Sequence, residues 1–156
     1  MENSLQIARR IKDDYSSFKS FVIFNTYEDL EYISTALSFI CKNLRKLVIY
    51  TGGLDPINKP NSDSAANLGS SIVIAQSYSI PEVTVFHCNY LYRANRISRF
   101  SCKGNQLFKS LNYPPLGTCI NRNVEIYWTN VLERYITNKD RSNLELEEVL
   151  FDDSRT

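Results

Sequence analysis

The chain has 156 residues, 43% of them apolar, and its 18 Lys and Arg against 17 Asp and Glu leave a formal net charge of +1. That is the length of one domain able to bury its own core. A charge so close to balance supplies no long-range field toward nucleic acid or a membrane surface, so neither partner is expected. Cys41, Cys88, Cys102 and Cys119 are far apart, with no Cys-x-x-Cys pair, and His87 is the only histidine. They read as free thiols of a reducing compartment, and no metal or other cofactor is expected. The first fourteen residues, MENSLQIARRIKDD, lack an apolar leader core, and no apolar run is long enough to span a bilayer. The expected location is therefore the cytoplasm.

In chain order, Leu5, Ile7, Ala8 and Ile11 with basic residues between them predict a helix over 4–15. Phe21-Val-Ile-Phe24 predicts a buried strand over 21–25. The polar turn Asn25-Thr-Tyr-Glu-Asp29 follows, and then Leu30, Ile33, Leu37, Ile40, Cys41 and Leu44 recur at helical spacing, predicting a helix over 28–44. Glu28 and Asp29 suit the positive end of that helix, and Lys42, Arg45 and Lys46 suit the negative end. Thr26 or Asn25 is the expected cap.

Leu47-Val-Ile-Tyr50 predicts a second strand over 47–51, stopped by Gly52-Gly53, which reads as a bare turn because the lysine and spacing of a phosphate loop are missing. Residues 55–62 form a loop. Asp63 is the expected cap of a helix over 64–77, with Ala65, Leu68, Ile72 and Ala75 on its inner face. Glu82-Val-Thr-Val-Phe86 opens a third strand, over 82–87. Helix and strand alternating in this way predict an α/β fold, a mostly parallel sheet with helices on both faces. Beyond it, Tyr90-Leu-Tyr-Arg-Ala94 and Ile97-Ser-Arg-Phe100 look extended, Pro114-Pro115 interrupts regular structure, and 124–128 predicts a last strand. Residues 138–156 read as a mobile acidic tail with a weak helix around 144–150.

Several stretches together resemble one family, the bacterial-type L-asparaginases. "NTYEDLEYISTALSFICKNL" is similar to the family's His-Gly-Thr-Asp-Thr turn and the helix after it. "LVIYTGGLDPI" is similar to "VIFTGSQIPI", "SDSAANLGSSIVIA" to "SDARENLLGALLIA", and "EVTVFHCNYLYRANRISRF" with "NYPPLG" to "EVCIYFNNKLYRGNRTTKV" with "NYPPLA". The resemblance covers residues 4–131. It implies an asparaginase amino-terminal domain over 1–137, without the first catalytic hairpin and without the family's carboxyl-terminal domain.

The resemblance also implies a chemistry, hydrolysis of a side-chain amide by threonine, aspartate and lysine. Mapped residue by residue, Tyr27 stands where the turn threonine is expected, Glu28 where the aspartate is expected and Arg99 where the lysine is expected. A phenol reaches several ångströms beyond a threonine hydroxyl, and a permanently protonated guanidinium takes no proton. Glu28 keeps the carboxylate on a longer arm, and a misplacement of about 1 Å can cost about two orders of magnitude in rate. The expectation is a catalytically degenerate member that binds a partner or small ligand; the alternative is an L-asparagine amidohydrolase of altered or weak activity. In the alternative, Thr26 is the nucleophile of a slipped turn with Glu28 as its base.

Asn25 and Asp29 are candidate substrate contacts beside these positions. The strand tips are expected to bring Asn25, Thr26, Glu28, Asp29, Thr51, Gly52 and Arg99 together, with two carboxylates facing the Arg99 guanidinium. His87 at a strand end reads as a hydrogen-bonded structural residue, and Arg93, Arg96 and Arg99 as family positions rather than a nucleic-acid stripe. Expected partners are a homo- or hetero-oligomer and a small amide or amino-acid ligand.

Overall fold

The computed structural model describes residues 2–100 and 107–132 and the backbone of residues 145 and 146. A six-stranded mixed sheet carries the fold, in the order β1 (Ser20–Phe24), β3 (Leu47–Thr51), β4 (Val83–His87), β5 (Tyr90–Arg93), β8 (Gly117–Ile120) and β9 (Asn123–Ile126). β1, β3 and β4 run parallel, with Phe24 beside Thr51 and Thr51 beside Phe86. The remaining neighbours are antiparallel. The tight reversals explain the change: Cys88-Asn89 and Asn121-Arg122 all have positive φ, which closes two-residue hairpins between β4 and β5 and between β8 and β9.

Alternation along the strands divides the core in two. Val48, Tyr50, Val83 and Val85 face helices α1 (Glu2–Asp13) and α2 (Leu30–Ile40), whereas Leu47, Ile49 and Phe86 face α3 (Asp63–Ser77). β3 and β4 are buried along their whole length, as strands covered on both faces must be. Helices therefore lie on both faces of the sheet, as the sequence implies.

Two helices differ from their sequence reading. α2 stops at Ile40 because Cys41–Lys42 turn extended as β2 and pair antiparallel with Glu145–Leu146, β10. Asn43 then takes a left-handed φ of 55°, and Leu44 is buried outside the helix. The weak helix expected around 144–150 is likewise extended at Glu145 and Leu146; the rest of the expected acidic tail lies outside the described residues. α3 is capped by Ser62, whose Oγ accepts from the Ala65 amide, rather than by Asp63. Its inner face is Ser64, Asn67, Ser71, Ile74 and Ala75, while Ala65 and Ile72 point outward. A polar stripe faces the sheet here because its side chains hold the strand tips.

At the opposite end of the sheet from those tips, Glu82 and Arg93 form a buried two-point ion pair, with Arg93 Nη2 3.0 Å from Glu82 Oε1. The same carboxylate accepts from the Leu132 amide, Arg93 also donates to the Asn130 carbonyl, and Tyr113 lies under the guanidinium at 4.3 Å. The segment around Pro114-Pro115 and the final described turn are fastened to the sheet through this one arginine. Among the described residues no helix is long and apolar enough to cross a membrane.

Candidate functional site

The turn after β1 sits at the carboxyl ends of the parallel strands, the usual ligand position in an open α/β sheet. It is held close to β3: the Asn25 amide donates to the Thr51 carbonyl at 3.1 Å, and a Cβ on Gly52 would lie 2.1 Å from the Asn25 carbonyl oxygen. The Asn25 side chain folds back to accept from the Thr26 amide at 2.8 Å. Neither residue caps α2, whose first residue is Leu30 and whose cap position is Asp29, without a side-chain cap bond. The expected Thr26 or Asn25 cap fails because the turn is too long for either side chain to reach the first helical amides.

Facing the turn is the loop after β3. The Asp63 carboxylate accepts from the amides of Leu54, Asp55 and Ser64 at 2.8–2.9 Å, and the hydroxyls of Ser62 and Ser64 both donate to the Asp55 carbonyl. Asn67 reaches the other way, donating to the Gly52 carbonyl at 2.8 Å and accepting from the Cys88 amide at 3.3 Å, so it ties two strand tips together. Between turn and loop lies a cleft of about 490 Å³, walled by Asn25, Thr26, Tyr27 and Glu28 on one side and by Leu54, Asp55, Ile57 and Ser64 on the other. The part that Asp63, Ser64 and Asn67 play here went unrecognised in the sequence. Their only signal was a run of polar residues on what became the inner face of α3.

Arg99 belongs to β6 (Ile97–Arg99), which pairs with β7 (Phe108–Ser110) beside α2. Its guanidinium carbon lies 5.4 Å from the Tyr27 ring centre and 6.0 Å from that of Phe108, and its amide donates to Glu31 Oε2 at 3.1 Å. A second opening of about 510 Å³ runs along α2 past Glu28, Glu31, Tyr32 and Arg99. Glu28 borders both openings.

The expected convergence is thus partial. Asn25, Thr26, Tyr27 and Glu28 share the cleft. Arg99 lies across the Tyr27 ring, and Asp29 stands at the start of α2. Among the described residues Arg99 forms no ion pair with Glu28 or Asp29, because an aromatic ring occupies the place where the carboxylates were expected. Thr51 is buried and spends its hydroxyl on the Phe86 carbonyl at 2.9 Å.

Two further residues take structural places. His87 is buried, with Nε2 accepting from the Leu107 amide at 3.3 Å and its ring packed edge-on to Phe108. Arg93 is buried in its ion pair, so it forms no surface stripe with Arg96 and Arg99. Its pKa is lowered by burial but raised by more through Glu82 and Tyr113, which keeps it charged. Beneath the turn, burial pushes the Tyr50 phenol pKa up, the Asn25 side chain pulls it down, and the Asp29 carboxylate pushes it up again. No group of three or more His, Cys, Asp or Glu side chains is placed to hold a metal ion among the described residues. No hydrogen bond joins Thr26 to Glu28 there either.

A cleft at the tips of parallel strands, walled by a polar turn and a clamped loop, defines an α/β protein of the strand-end ligand-binding class. The family profile described as asparaginase, N-terminal matches residues 1–132. The chain belongs to the asparaginase family. L-asparaginase 1 of Escherichia coli K12 is 40% identical over 115 residues, which is 74% of this chain and 34% of that protein. A Glutamyl-tRNA(Gln) amidotransferase component of Methanobrevibacter smithii is 31% identical over 150 residues, 91% of this chain and 33% of that one. Among solved structures, L-asparaginase I of Vibrio cholerae superposes with a TM-score of 0.82 at 32% identity, covering 93% of this chain and 43% of that one. The chain spans about a third of the length of these curated relatives.

Proposed function

We propose that this chain is a catalytically degenerate asparaginase-type domain that binds a small amide or amino-acid ligand, or a protein partner, at the strand-end cleft without hydrolysing an amide. The observation that supports this reading is the Tyr27–Arg99 contact. The two positions that the resemblance assigns to threonine and lysine are here a phenol ring and a guanidinium stacked 5.4 Å apart. Neither can take up a proton from a nucleophile at neutral pH, and each occupies the space the other's chemistry would need. The cleft itself keeps polar walls in Asn25, Thr26 and Glu28, and a volume in the range of small-molecule sites. Function in the cytoplasm, as a homo- or hetero-oligomer, is part of the same proposal.

A second reading is favoured by one observation: Thr26 and Glu28 wall the same cleft. In it the chain is an L-asparagine amidohydrolase of weak or altered activity, with Thr26 as nucleophile and Glu28 as its base. Ammonia release from asparagine separates the two. The binding reading expects turnover orders of magnitude below that of an active family enzyme, since losing one member of a catalytic set has that effect. It also expects asparagine or a related amide to raise the melting temperature, and Glu28→Gln to diminish that rise. Robust turnover that disappears in Thr26→Ala would overturn the first reading in favour of the second.

A further inference from the structure

Among the described residues β1 ends the sheet, with β3 as its one neighbour. Strand geometry fixes which backbone groups are left over. The Asn25 amide donates to Thr51, so Asn25, Ile23 and Phe21 direct their N–H and C=O groups toward β3. The intervening residues Ser20, Val22 and Phe24 direct theirs outward. Edge strands of monomeric proteins are usually blunted by lysine, proline, a bulge or inward charge. β1 reads Ser-Phe-Val-Ile-Phe and has none of these within it.

Three further features mark the same edge. β1 is only partly buried, unlike the wholly buried β3 and β4. Phe18, just before it, and Phe24, its last residue, are 55% and 41% exposed. The ends of the strand carry opposite charge, with exposed Lys19 before it and exposed Glu28 and Asp29 after it. Such an edge is complementary to itself when turned around, since an antiparallel neighbour brings each positive start to a negative end.

We propose that two copies of this chain associate through the outer edges of β1, antiparallel about Val22. With Val22 opposite Val22 and Ser20 opposite Phe24, the outward groups form about six main-chain hydrogen bonds. The interface is isologous and closes on itself, so it gives a dimer and not a filament. In that register Lys19 of the second copy falls opposite Asn25, and Phe18 opposite Thr26. Both then stand at the mouth of the strand-end cleft, where the lysine faces Glu28. The dimer thus adds a cation and an aromatic ring to a cleft that its own chain walls with Asn25, Thr26 and Glu28. The association itself does not depend on whether the cleft binds or hydrolyses an amide.

Sedimentation velocity on the whole chain over roughly 1–100 µM tests this, together with hydrogen exchange at the two ends of that range. The expected result is a reversible monomer–dimer equilibrium in which the Val22 and Phe24 amides gain protection at high concentration. Lys19→Glu sets like charges against each other and should weaken the dimer by about tenfold or more; Lys19→Glu with Glu28→Lys should restore it. Val22→Pro removes an outward donor without touching the bonds to β3, and should also weaken the dimer in a protein whose circular dichroism is unchanged. A monomer at every concentration overturns the proposal. So does a dimer indifferent to Lys19→Glu, or one whose Val22 and Phe24 amides exchange as fast as in the monomer.

Discussion

The Arg99 guanidinium lies 5.4 Å from the centre of the Tyr27 ring, and this contact takes the place of any ion pair between Arg99 and the carboxylates of Glu28 and Asp29. Tyr27 lines the strand-end cleft on one side and meets Arg99 on the other. Arg99 also reaches the Phe108 ring at 6.0 Å. The turn is therefore tied to the β6–β7 pair by aromatic stacking, a weaker and less desolvated arrangement than a buried charge cluster.

Replacing Arg99 should accordingly have a modest effect. Exposed cation–π contacts contribute about 0.5–1 kcal/mol, so Arg99→Ala is expected to lower stability by that amount in a denaturant titration, with Arg99→Lys falling between. A loss above about 3 kcal/mol would mean that the guanidinium does neutralise buried acids, as a charge-paired plug requires.

What the sequence made legible follows from period and burial. The strand at 47–51 and the helix at 30–40 announce themselves because apolar residues repeat at the spacing of each element. The end of α2 was hidden because Cys41 and Leu44 keep helical spacing while being buried for another reason, the pairing of Cys41–Lys42 with Glu145–Leu146. No local pattern carries a contact made across a hundred residues. The inner face of α3 was misread for a related reason. Apolar residues were assigned inward, yet Asn67 and Ser64 take that face because the glycine turn and the loop after β3 leave backbone groups that need partners. The site was legible as a place and not as an arrangement. Chain order puts Asn25 to Glu28 at a strand tip, but only the fold decides that Arg99 meets Tyr27.

Gly52 holds the turn against β3. A methyl group there would lie 2.1 Å from the Asn25 carbonyl oxygen, a backbone atom that cannot swing aside. Gly52→Ala should displace the turn and cost about 1–3 kcal/mol, as overpacking does. Ligand-induced stabilisation should fall with it, whereas Gly69→Ala, where nothing lies within 4 Å of the added carbon, is expected to be neutral or slightly stabilising. Paired thermal melts of the two variants, with and without asparagine, make the comparison.

The Glu82–Arg93 pair should be the most sensitive polar contact in the protein. Removing one partner leaves the other charge buried without compensation, a loss of about 3–5 kcal/mol. Glu82→Ala and Arg93→Ala are both expected to lose that much. The double variant Glu82→Met with Arg93→Met should recover part of it, because no charge then remains inside. Equilibrium urea unfolding of the three proteins checks the order; equal losses in all three would mean that the bonds to Leu132 and Asn130 matter more than the charges.

Alkaline pH should weaken the fold through Cys41. Burial pushes its thiol from 9.0 up to about 12 in the folded protein, so between those values the folded state holds a proton that the unfolded chain has released. Stability then falls as pH rises, by up to about 1.4 kcal/mol per pH unit for one group. The contribution is fully present below about pH 9 and is lost as pH climbs toward 12. Tyr50 and Tyr15 add to the same limb above about pH 10, since burial raises both phenols as well. Cys41→Ala removes the thiol from the balance. It should be less stable than the wild type at pH 7, by the cavity it leaves, yet show a shallower decline between pH 9 and 11. Urea midpoints at pH 7, 9, 10 and 11 read this directly, and parallel declines in the two proteins would show that the Cys41 thiol is not the group that titrates.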